Sequence, residues 1–197
     1  MKHQHNLLII CDLDRVAVDC EERFAQAAAA HKKGSPEYWR TALDPAQLVL
    51  DVPQAGALAH LAYLYAAAAL CYVTSRPSDC HAKTVEFLSH HGYPCPDETI
   101  CRPARKGLTT ARFKGLVVRA LSYGLPAAFI DRHFRLATNR MTFFFLSLWS
   151  KLRRTRKVVL FVDDSEKNRQ AIAALGLVAY IATGLDEAVA WLRAGNA

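Results

Sequence analysis

Aspartates that directly follow apolar runs are the residues of this chain best suited to chemistry. Asp12 and Asp14 come after the run LLIIC, and Asp163 and Asp164 come after VVLFV. Thr74 ends a third apolar stretch, LCYV. Carboxylates serve in proteins as nucleophiles, as general acids and bases, and as ligands of hard metal ions. The sequence therefore offers acid–base, covalent or metal chemistry, provided that the fold brings these side chains together.

The apolar runs before these residues predict strands. Each run is short and continuous, which is typical of a parallel strand buried on both faces. Helical patterns lie between the runs, so we predict an α/β fold with a doubly wound, mainly parallel sheet. In such a sheet the carboxyl ends of neighbouring strands meet at one edge. The four carboxylates and Thr74 are expected to converge there.

Converging carboxylates repel one another and need a cation if all are to stay ionised. Mg²⁺ fits this requirement because it prefers oxygen ligands and needs only a few carboxylates. The alternative is that aspartates at strand ends simply form turns. For one Asp pair the two explanations are equally good. Two pairs and a threonine, each at a strand end, favour a magnesium site.

The patterns also predict the order of the elements. Predicted strands cover 7–11, about 68–74, a short segment ending at 100, 158–162 and 178–182. Predicted helices cover 20–33, 54–66, 78–91, a segment from Thr109 or Thr110 to about 122, 165–175 and 185–194. Ser78 is the predicted N-cap of the third helix. The segment SPEYW after the first helix is predicted as a turn, and a loop or short helix is predicted between Pro45 and Pro53.

Composition limits the class of protein. The chain has 197 residues, 52% hydrophobic and 22% charged, which predicts one folded domain over 1–197 rather than disorder. The net charge of +7 favours an anionic partner. The sequence has no run of about 20 uncharged apolar residues, so no membrane span is expected. The polar N-terminus does not resemble a secretory signal, so a cytoplasmic location is expected. Six cysteines without a CxxC pair make a zinc site unexpected.

Taken together, the motifs resemble those of the haloacid dehalogenase-like (HAD) phosphatases. The run LLIICDLDRVAVD resembles their first motif, CYVTSRP the second and VVLFVDDSEKN the fourth. The stretch between 87 and 121 resembles the one that supplies the third-motif lysine. The combination is similar to the phosphatase domain of polynucleotide kinases and to small nucleotidase-like members, over residues 7–121 and 158–177.

The resemblance implies a role for each motif residue. Asp12 would be the nucleophile that forms an aspartyl-phosphate, and Asp14 would be the general acid and then the general base. Thr74 would donate its hydroxyl to the phosphoryl oxygens. Lys114 best matches the third-motif lysine, with Lys106 as the alternative; either would neutralise charge in the transition state.

The resemblance also implies a magnesium cofactor. Its ligands would be Asp12, the backbone carbonyl of Asp14, Asp163 and Asp164, with Asp164 the more direct ligand of the last pair. The expected activity is magnesium-dependent phosphomonoester hydrolysis on a phosphorylated small molecule or nucleotide, or on nucleic-acid 3′ ends. Side chains near the motifs are predicted to contact the substrate phosphate: Arg15, Ser75 and Arg76. Arg15 could instead narrow the entrance to the site, and Arg76, which precedes Pro77, could instead be solvated.

The chain departs from the family pattern in two places. Position 15 is often Gly in the first motif and is Arg here. Residues 122–157 form an insertion of about 35 residues before the fourth-motif strand, where the family usually has a short connection. Only about 60 residues separate the first two motifs, which leaves room for no more than a minimal cap.

The centre of the insertion, 141–149, is aromatic and apolar and lies between basic flanks. It is interpreted as a helix packed on the core, as an interface for self-association, or as an interfacial membrane contact. The basic run 151–157 could line a nucleic-acid track or be a solvated face. An alternative function follows: a catalytically weak binding or scaffold protein that keeps the fold and acts through the insertion.

Overall fold

A parallel sheet lies at the centre of the fold in the computed structural model, which describes residues 6–103, 108–136 and 157–195. Its strand order is β5-β4-β1-β6-β7, and every neighbouring pair is parallel. A separate antiparallel pair joins β2 to β3. The strands are β1 (Leu7–Cys11), β2 (Val18–Asp19), β3 (Val52–Pro53), β4 (Ala69–Pro77), β5 (Thr99–Arg102), β6 (Val158–Val162) and β7 (Tyr180–Ala182).

Strand β1 shows why the predicted runs are continuously apolar. Leu7, Ile9 and Cys11 belong to one hydrophobic core, and Leu8 and Ile10 belong to another. Successive side chains of a strand point to opposite faces, so a strand covered on both sides must be apolar at every position. All five residues of β1 are at most 4% exposed.

Helices lie on both faces of the sheet and in a small cap. They are α1 (Glu21–Ala30), α2 (Pro36–Ala42), α3 (Ala57–Ala67), α4 (His81–His90), α5 (Thr110–Ser122), α6 (Ala127–Leu136), α7 (Glu166–Ala173) and α8 (Leu185–Arg193), with 3-10 turns at Pro45–Leu50 and Ser78–Cys80. Buried residues of α3, α4 and α8 belong to the core on one face. Those of α5, α6 and α7 belong to the core on the other. The predicted doubly wound α/β fold is confirmed.

Two local predictions are wrong. The segment SPEYW is not a turn, because it opens helix α2. The Ser35 hydroxyl accepts a hydrogen bond from the backbone N–H of Tyr38 at 3.1 Å, and Pro36 occupies the first helical position. Serine followed by proline is a helix-start signal. Ser78 is not an N-cap, since it begins a 3-10 turn and α4 starts only at His81.

Residues between β2 and β3 form a small cap. Helices α1 and α2 pack against each other through Ala27, Tyr38 and Ala42, with Phe24 beside them. The β2–β3 pair closes the base of this segment. The predicted minimal cap is thus a short helical hairpin, which we call the α1–α2 hairpin.

Part of the predicted insertion is a helix that packs on the core. Ala127 and Ile130 of α6 are buried at 3% and 0% exposure in the same core as α5. Segment 141–149 and residues 151–156 of the basic run lie outside the described residues. Self-association through the former, and the alternative function of a binding protein that acts through the insertion, stay predictions.

In the part of the chain that the structure describes, no helix has both the length and the apolar character needed to cross a bilayer.

Candidate active site

The carboxyl ends of β1 and β6 hold Asp12 and Asp163 in fixed positions. The backbone N–H of Asp12 donates to the carbonyl of Val162 at 2.9 Å, and that of Asp163 donates to the carbonyl of Ala182 at 3.1 Å. Each aspartate therefore continues the hydrogen-bond ladder one residue past its strand. Neighbouring strands β1 and β6 thus bring the two carboxylates to one point of the sheet edge.

Lys114 lies between these two carboxylates. Its Nζ is 2.6 Å from Asp12 Oδ2 and 2.7 Å from Asp163 Oδ2, and the residue is fully buried. Burial lowers the pKa of Lys114, but the two carboxylates outweigh burial and raise it above its usual value. The side chain is therefore an ammonium. Helix α5 carries it into the site after the N-cap Thr109, whose hydroxyl accepts from the N–H of Arg112 at 3.3 Å. Lys106 lies outside the described residues.

The carboxylate pKa values reflect burial at this edge. Burial raises the pKa of Asp12 to about 7, with Lys114 opposing the shift and Asp163 adding to it. Burial, and then the charge of Asp163, also raise the pKa of Asp164. The ionised forms of these carboxylates are thus disfavoured, as expected where buried carboxylates lack sufficient positive charge nearby.

Three of these carboxylates could hold a metal ion. Asp12, Asp163 and Asp164 each offer one oxygen, and these oxygens all lie within 4.8 Å of one another. Opposite ligands of Mg²⁺ are separated by about 4 Å, so small adjustments would complete such a site. Three carboxylates against one ammonium leave two excess negative charges, which fits a divalent cation. Asp163 is buried, whereas Asp164 is exposed and lines the pocket.

Asp163 is oriented by several donors besides Lys114. The Asn168 amide donates to both carboxylate oxygens at 3.2 Å, and the Ser165 N–H donates to Oδ1 at 2.9 Å. Asn168 is the last residue of the fourth motif and was assigned no role from the sequence. These bonds fix the carboxylate beside the candidate metal position.

The loop after β1 directs Asp14. The carbonyl of Leu13 accepts from the N–H groups of Val16, Ala17 and Val18 at 3.2, 2.9 and 2.9 Å, which closes a tight turn. The Asp14 carboxylate is outside the group of three that could hold a metal. Ligation through the Asp14 backbone carbonyl stays a prediction.

The Asp14 carboxylate belongs to a buried ion cluster of Asp14, Arg23, Asp51 and Arg76. Arg23 Nη2 lies 2.9 Å from Asp14 Oδ1, and Arg76 Nε lies 3.0 Å from the same oxygen. Asp51 binds both guanidiniums at 2.8 Å. Both arginines and Asp51 have 0% exposed side chains. Burial raises the pKa of Asp14, but Arg76 and Arg23 outweigh it, so this pKa lies below its usual value.

The second-motif residues divide into a pocket residue and two buried ones. Ser75 lines the pocket, as expected of a substrate contact. Arg76 was predicted to contact the substrate phosphate, but it is 0% exposed and binds Asp14 and Asp51, so we assign it to positioning Asp14. Thr74 is also fully buried, and its hydroxyl accepts from the Arg76 N–H at 3.2 Å. Its predicted donation to phosphoryl oxygens would require a shift at the irregular end of β4.

Arg15 stands at the pocket wall with a left-handed backbone. Its φ is +66°, a conformation that favours glycine and explains why the position suits Gly in the first motif. The side chain is 45% exposed and pairs with Glu21 at 2.8 Å. Arg15 lines the pocket, and its contact with substrate stays a prediction.

Sequence reasoning missed Arg23 and Asp51. From the sequence, Arg23 is a charged residue within a predicted helix, and Asp51 lies in a segment predicted as a loop or short helix. One signal was present for Arg23: it lies four residues before Ala27, and both are buried on the same helix face. Asp51 gave no signal, because its partners lie 25 and 28 residues away in the chain.

Comparisons with solved structures identify the fold. A haloacid dehalogenase-like family hydrolase from Streptococcus pneumoniae matches with a TM-score of 0.53 and 10% identity, over 94% of this chain and 97% of that chain. A predicted phosphatase from Clostridium acetobutylicum matches with a TM-score of 0.50 and 14% identity, over 97% of this chain and 100% of that one. Neither protein-family models nor curated protein sequences give a match. The chain therefore has the fold of the haloacid dehalogenase-like hydrolases.

Proposed function

We propose that the protein is a magnesium-dependent phosphomonoester hydrolase that works through an aspartyl-phosphate on Asp12. The observation that carries this proposal is the position of Lys114 Nζ, 2.6 Å from Asp12 and 2.7 Å from Asp163, beside the carboxylate of Asp164. A buried ammonium next to three carboxylates serves phosphoryl transfer well, because the reaction places negative charge on oxygens that need fixed counter-charges. The descriptions of the two matching structures, a hydrolase and a predicted phosphatase, agree with it.

The surroundings of the pocket favour an anionic group. The first turns of α5 and α7 line it through Thr110 and Lys167. Helix N-termini carry partial positive charge and free N–H groups, which attract phosphate. Asp12 and Asp14 line the same pocket, so a phosphate bound there would reach both carboxylates.

Asp12 is arranged as a nucleophile. Its Oδ1 accepts from the Leu13 N–H at 2.9 Å, and its Oδ2 contacts Lys114. In the first step an Asp12 oxygen forms a bond to phosphorus while the bond from phosphorus to the leaving oxygen breaks. In the second step water attacks the same phosphorus and Asp12 is released. A bound Mg²⁺ on Asp12, Asp163 and Asp164 would neutralise phosphoryl charge and balance the carboxylates.

Asp14 is arranged to move the proton. The three guanidinium N–H donors from Arg23 and Arg76 all bind Oδ1, so we assign proton transfer to Oδ2. The arginines favour the ionised carboxylate, whereas an arriving phosphate dianion favours the protonated one. Asp14 then gives its proton to the leaving oxygen and takes one from the attacking water.

We further propose nucleotides or nucleic-acid 3′ ends as substrates. The α1–α2 hairpin is short and leaves the pocket open, so a bulky leaving group can extend out of it. The net charge of +7 favours polyanionic substrates.

A phosphatase screen tests the proposal. We expect phosphate release from a panel of mononucleotides, sugar phosphates and 3′-phosphorylated oligonucleotides, with loss of activity in EDTA and recovery with Mg²⁺. The variant Asp12→Asn should lower kcat at least about 10³-fold, because it removes the nucleophile. Asp186→Asn is the matched control, since its side chain is 93% exposed and outside the pocket. An Asp12→Asn variant with full activity, or no magnesium-stimulated release from any substrate, contradicts the proposal.

A further inference from the structure

The pocket that holds Asp12 and Asp14 has an aromatic wall. Phe24 of α1 and Trp39 of α2 both line it, and their apolar rings contrast with the carboxylates in the same pocket. Trp39 is 46% exposed, which is unusual for a residue of its size. The pocket has a volume of about 380 Å³ and Arg15 and Lys167 also line it. A flat apolar surface and cationic side chains therefore share one cavity.

The ring of Phe24 already contacts other side chains of the protein. The Arg15 and Arg23 guanidiniums lie 5.1 and 4.9 Å from the centre of its ring. The Tyr38 ring lies nearly parallel to it, 6.3 Å between centres at 19°. Cations over an aromatic face satisfy its negative potential. Phe24 thus supports the wall rather than offering a face to a ligand.

Trp39 has a different environment. It meets Phe24 at 6.2 Å and 83°, and Tyr38 at 5.0 Å and 79°, so both contacts are perpendicular. Among the residues that the structure describes, no ring stacks parallel on the indole. The two perpendicular contacts hold the side chain in place, and the half-exposed indole remains available to a second flat ring.

We propose that Trp39 is a specificity-determining residue, which stacks on the base of a nucleotide whose phosphate lies at Asp12. This inference rests on the proposed function. An indole recognises a planar ring better than it does a sugar or a short alkyl chain, since stacking uses the whole face of both partners. The cationic neighbours Arg15 and Lys167 suit the charge of the same ligand. The base of a free nucleotide and the terminal base of a strand offer the same chemistry.

A comparison of two substrate classes tests the role of Trp39. Rates are measured for the full chain with a nucleoside monophosphate, with a 3′-phosphorylated oligonucleotide, and with glycerol phosphate, which has no ring. The variants are Trp39→Ala, Trp39→Phe and the control Tyr65→Ala, an aromatic of similar exposure (43%) that does not line the pocket. Thermal unfolding of each variant reports whether the hairpin remains folded.

Trp39→Ala should raise KM about tenfold for the substrates with a base and leave KM for glycerol phosphate within about twofold. Trp39→Phe should recover part of this loss, and kcat should change little. A larger effect on the oligonucleotide than on the mononucleotide assigns the subsite to strand ends, and the reverse assigns it to free nucleotides. Equal changes in KM for all substrates, or no change for those with a base, overturn the proposal.

The proposed function can fail separately from the stacking. Magnesium-stimulated hydrolysis of any of the three substrates by the unmodified chain tests the function alone. If none is hydrolysed, binding of the nucleoside monophosphate still tests the subsite through quenching of tryptophan fluorescence. Quenching that disappears in Trp39→Phe supports stacking, and the absence of quenching overturns it.

Discussion

Replacing Asp51 by alanine should destabilise the protein strongly, although Asp51 does not line the pocket that holds Asp12 and Asp14. Its carboxylate is fully buried and binds Arg23 and Arg76 at 2.8 Å each. Without it, two buried guanidiniums would share the single carboxylate of Asp14, and one buried positive charge would lack a partner. Breaking a buried ion pair from one side costs roughly 3–5 kcal/mol, because the remaining charge is left desolvated.

For a chain of this size that loss corresponds to a decrease in Tm of roughly 6–20 °C. Urea unfolding followed by circular dichroism gives the free energy of unfolding, and a thermal scan gives Tm. Asp97→Ala is the control, because an exposed aspartate in a turn should change stability by no more than about 0.5 kcal/mol. High salt should not reduce the effect of Asp51→Ala, since buried pairs are weakly screened.

A double-mutant cycle with Arg23→Met tests the electrostatic cause. The double variant restores the charge balance, so its loss should be smaller than the sum of the single losses by more than about 1 kcal/mol. Additive losses, or a loss below about 1 kcal/mol for Asp51→Ala alone, would refute the reasoning that the cluster is a set of mutually dependent buried charges.

Three further expectations follow. Magnesium should raise Tm more as pH rises through about 7. Burial raises the folded-state pKa of Asp12 to about 7, so in EDTA the contribution of Asp12 to stability falls between about pH 4 and 7, and above that range the cation replaces the proton. A rise in Tm that is independent of pH, or one that Asp164→Asn retains, contradicts this. Lys114→Met should lower kcat about 10²–10³-fold in the phosphatase assay, because the transition state loses its buried ammonium; unchanged kcat would remove Lys114 from the mechanism. Arg15→Gly should be about 1 kcal/mol more stable in urea than Arg15→Ala, because only glycine adopts φ +66° without strain; equal midpoints would show that the turn is unstrained.

Features encoded within a short stretch could be predicted from the sequence. Asp12 and Asp163 each follow a buried strand, and the apolar run itself shows where that strand ends. The start of α5 could be predicted for the same reason, since a threonine before a helical pattern signals its start; the sequence leaves Thr109 and Thr110 open, and the structure has Thr109 as the cap. The parallel sheet followed from the alternation of such runs with helices.

Features that depend on distant parts of the chain could not be predicted. The position of Arg76 in the second motif predicts a substrate contact. Its actual partners, Asp14 and Asp51, lie 62 and 25 residues away. No local sequence pattern predicts that two arginines and two aspartates are buried together. Helix α2 was missed for another reason: with seven residues it is too short to show a clear helical period.

The buried ion cluster also joins the α1–α2 hairpin to Asp14, the acid of the proposed reaction. Arg23 lies in the α1–α2 hairpin and Asp51 lies immediately before β3, yet both belong to the charge balance around Asp14 at the sheet edge. Exchanging residues 21–51 for the cap of another protein would therefore remove both of these residues together with Trp39 of the pocket wall, and would leave Asp14 paired with Arg76. A chimera that transplants the cap should therefore keep an arginine at 23 and an aspartate at 51, so that Asp14 and Arg76 each keep a second buried charge partner.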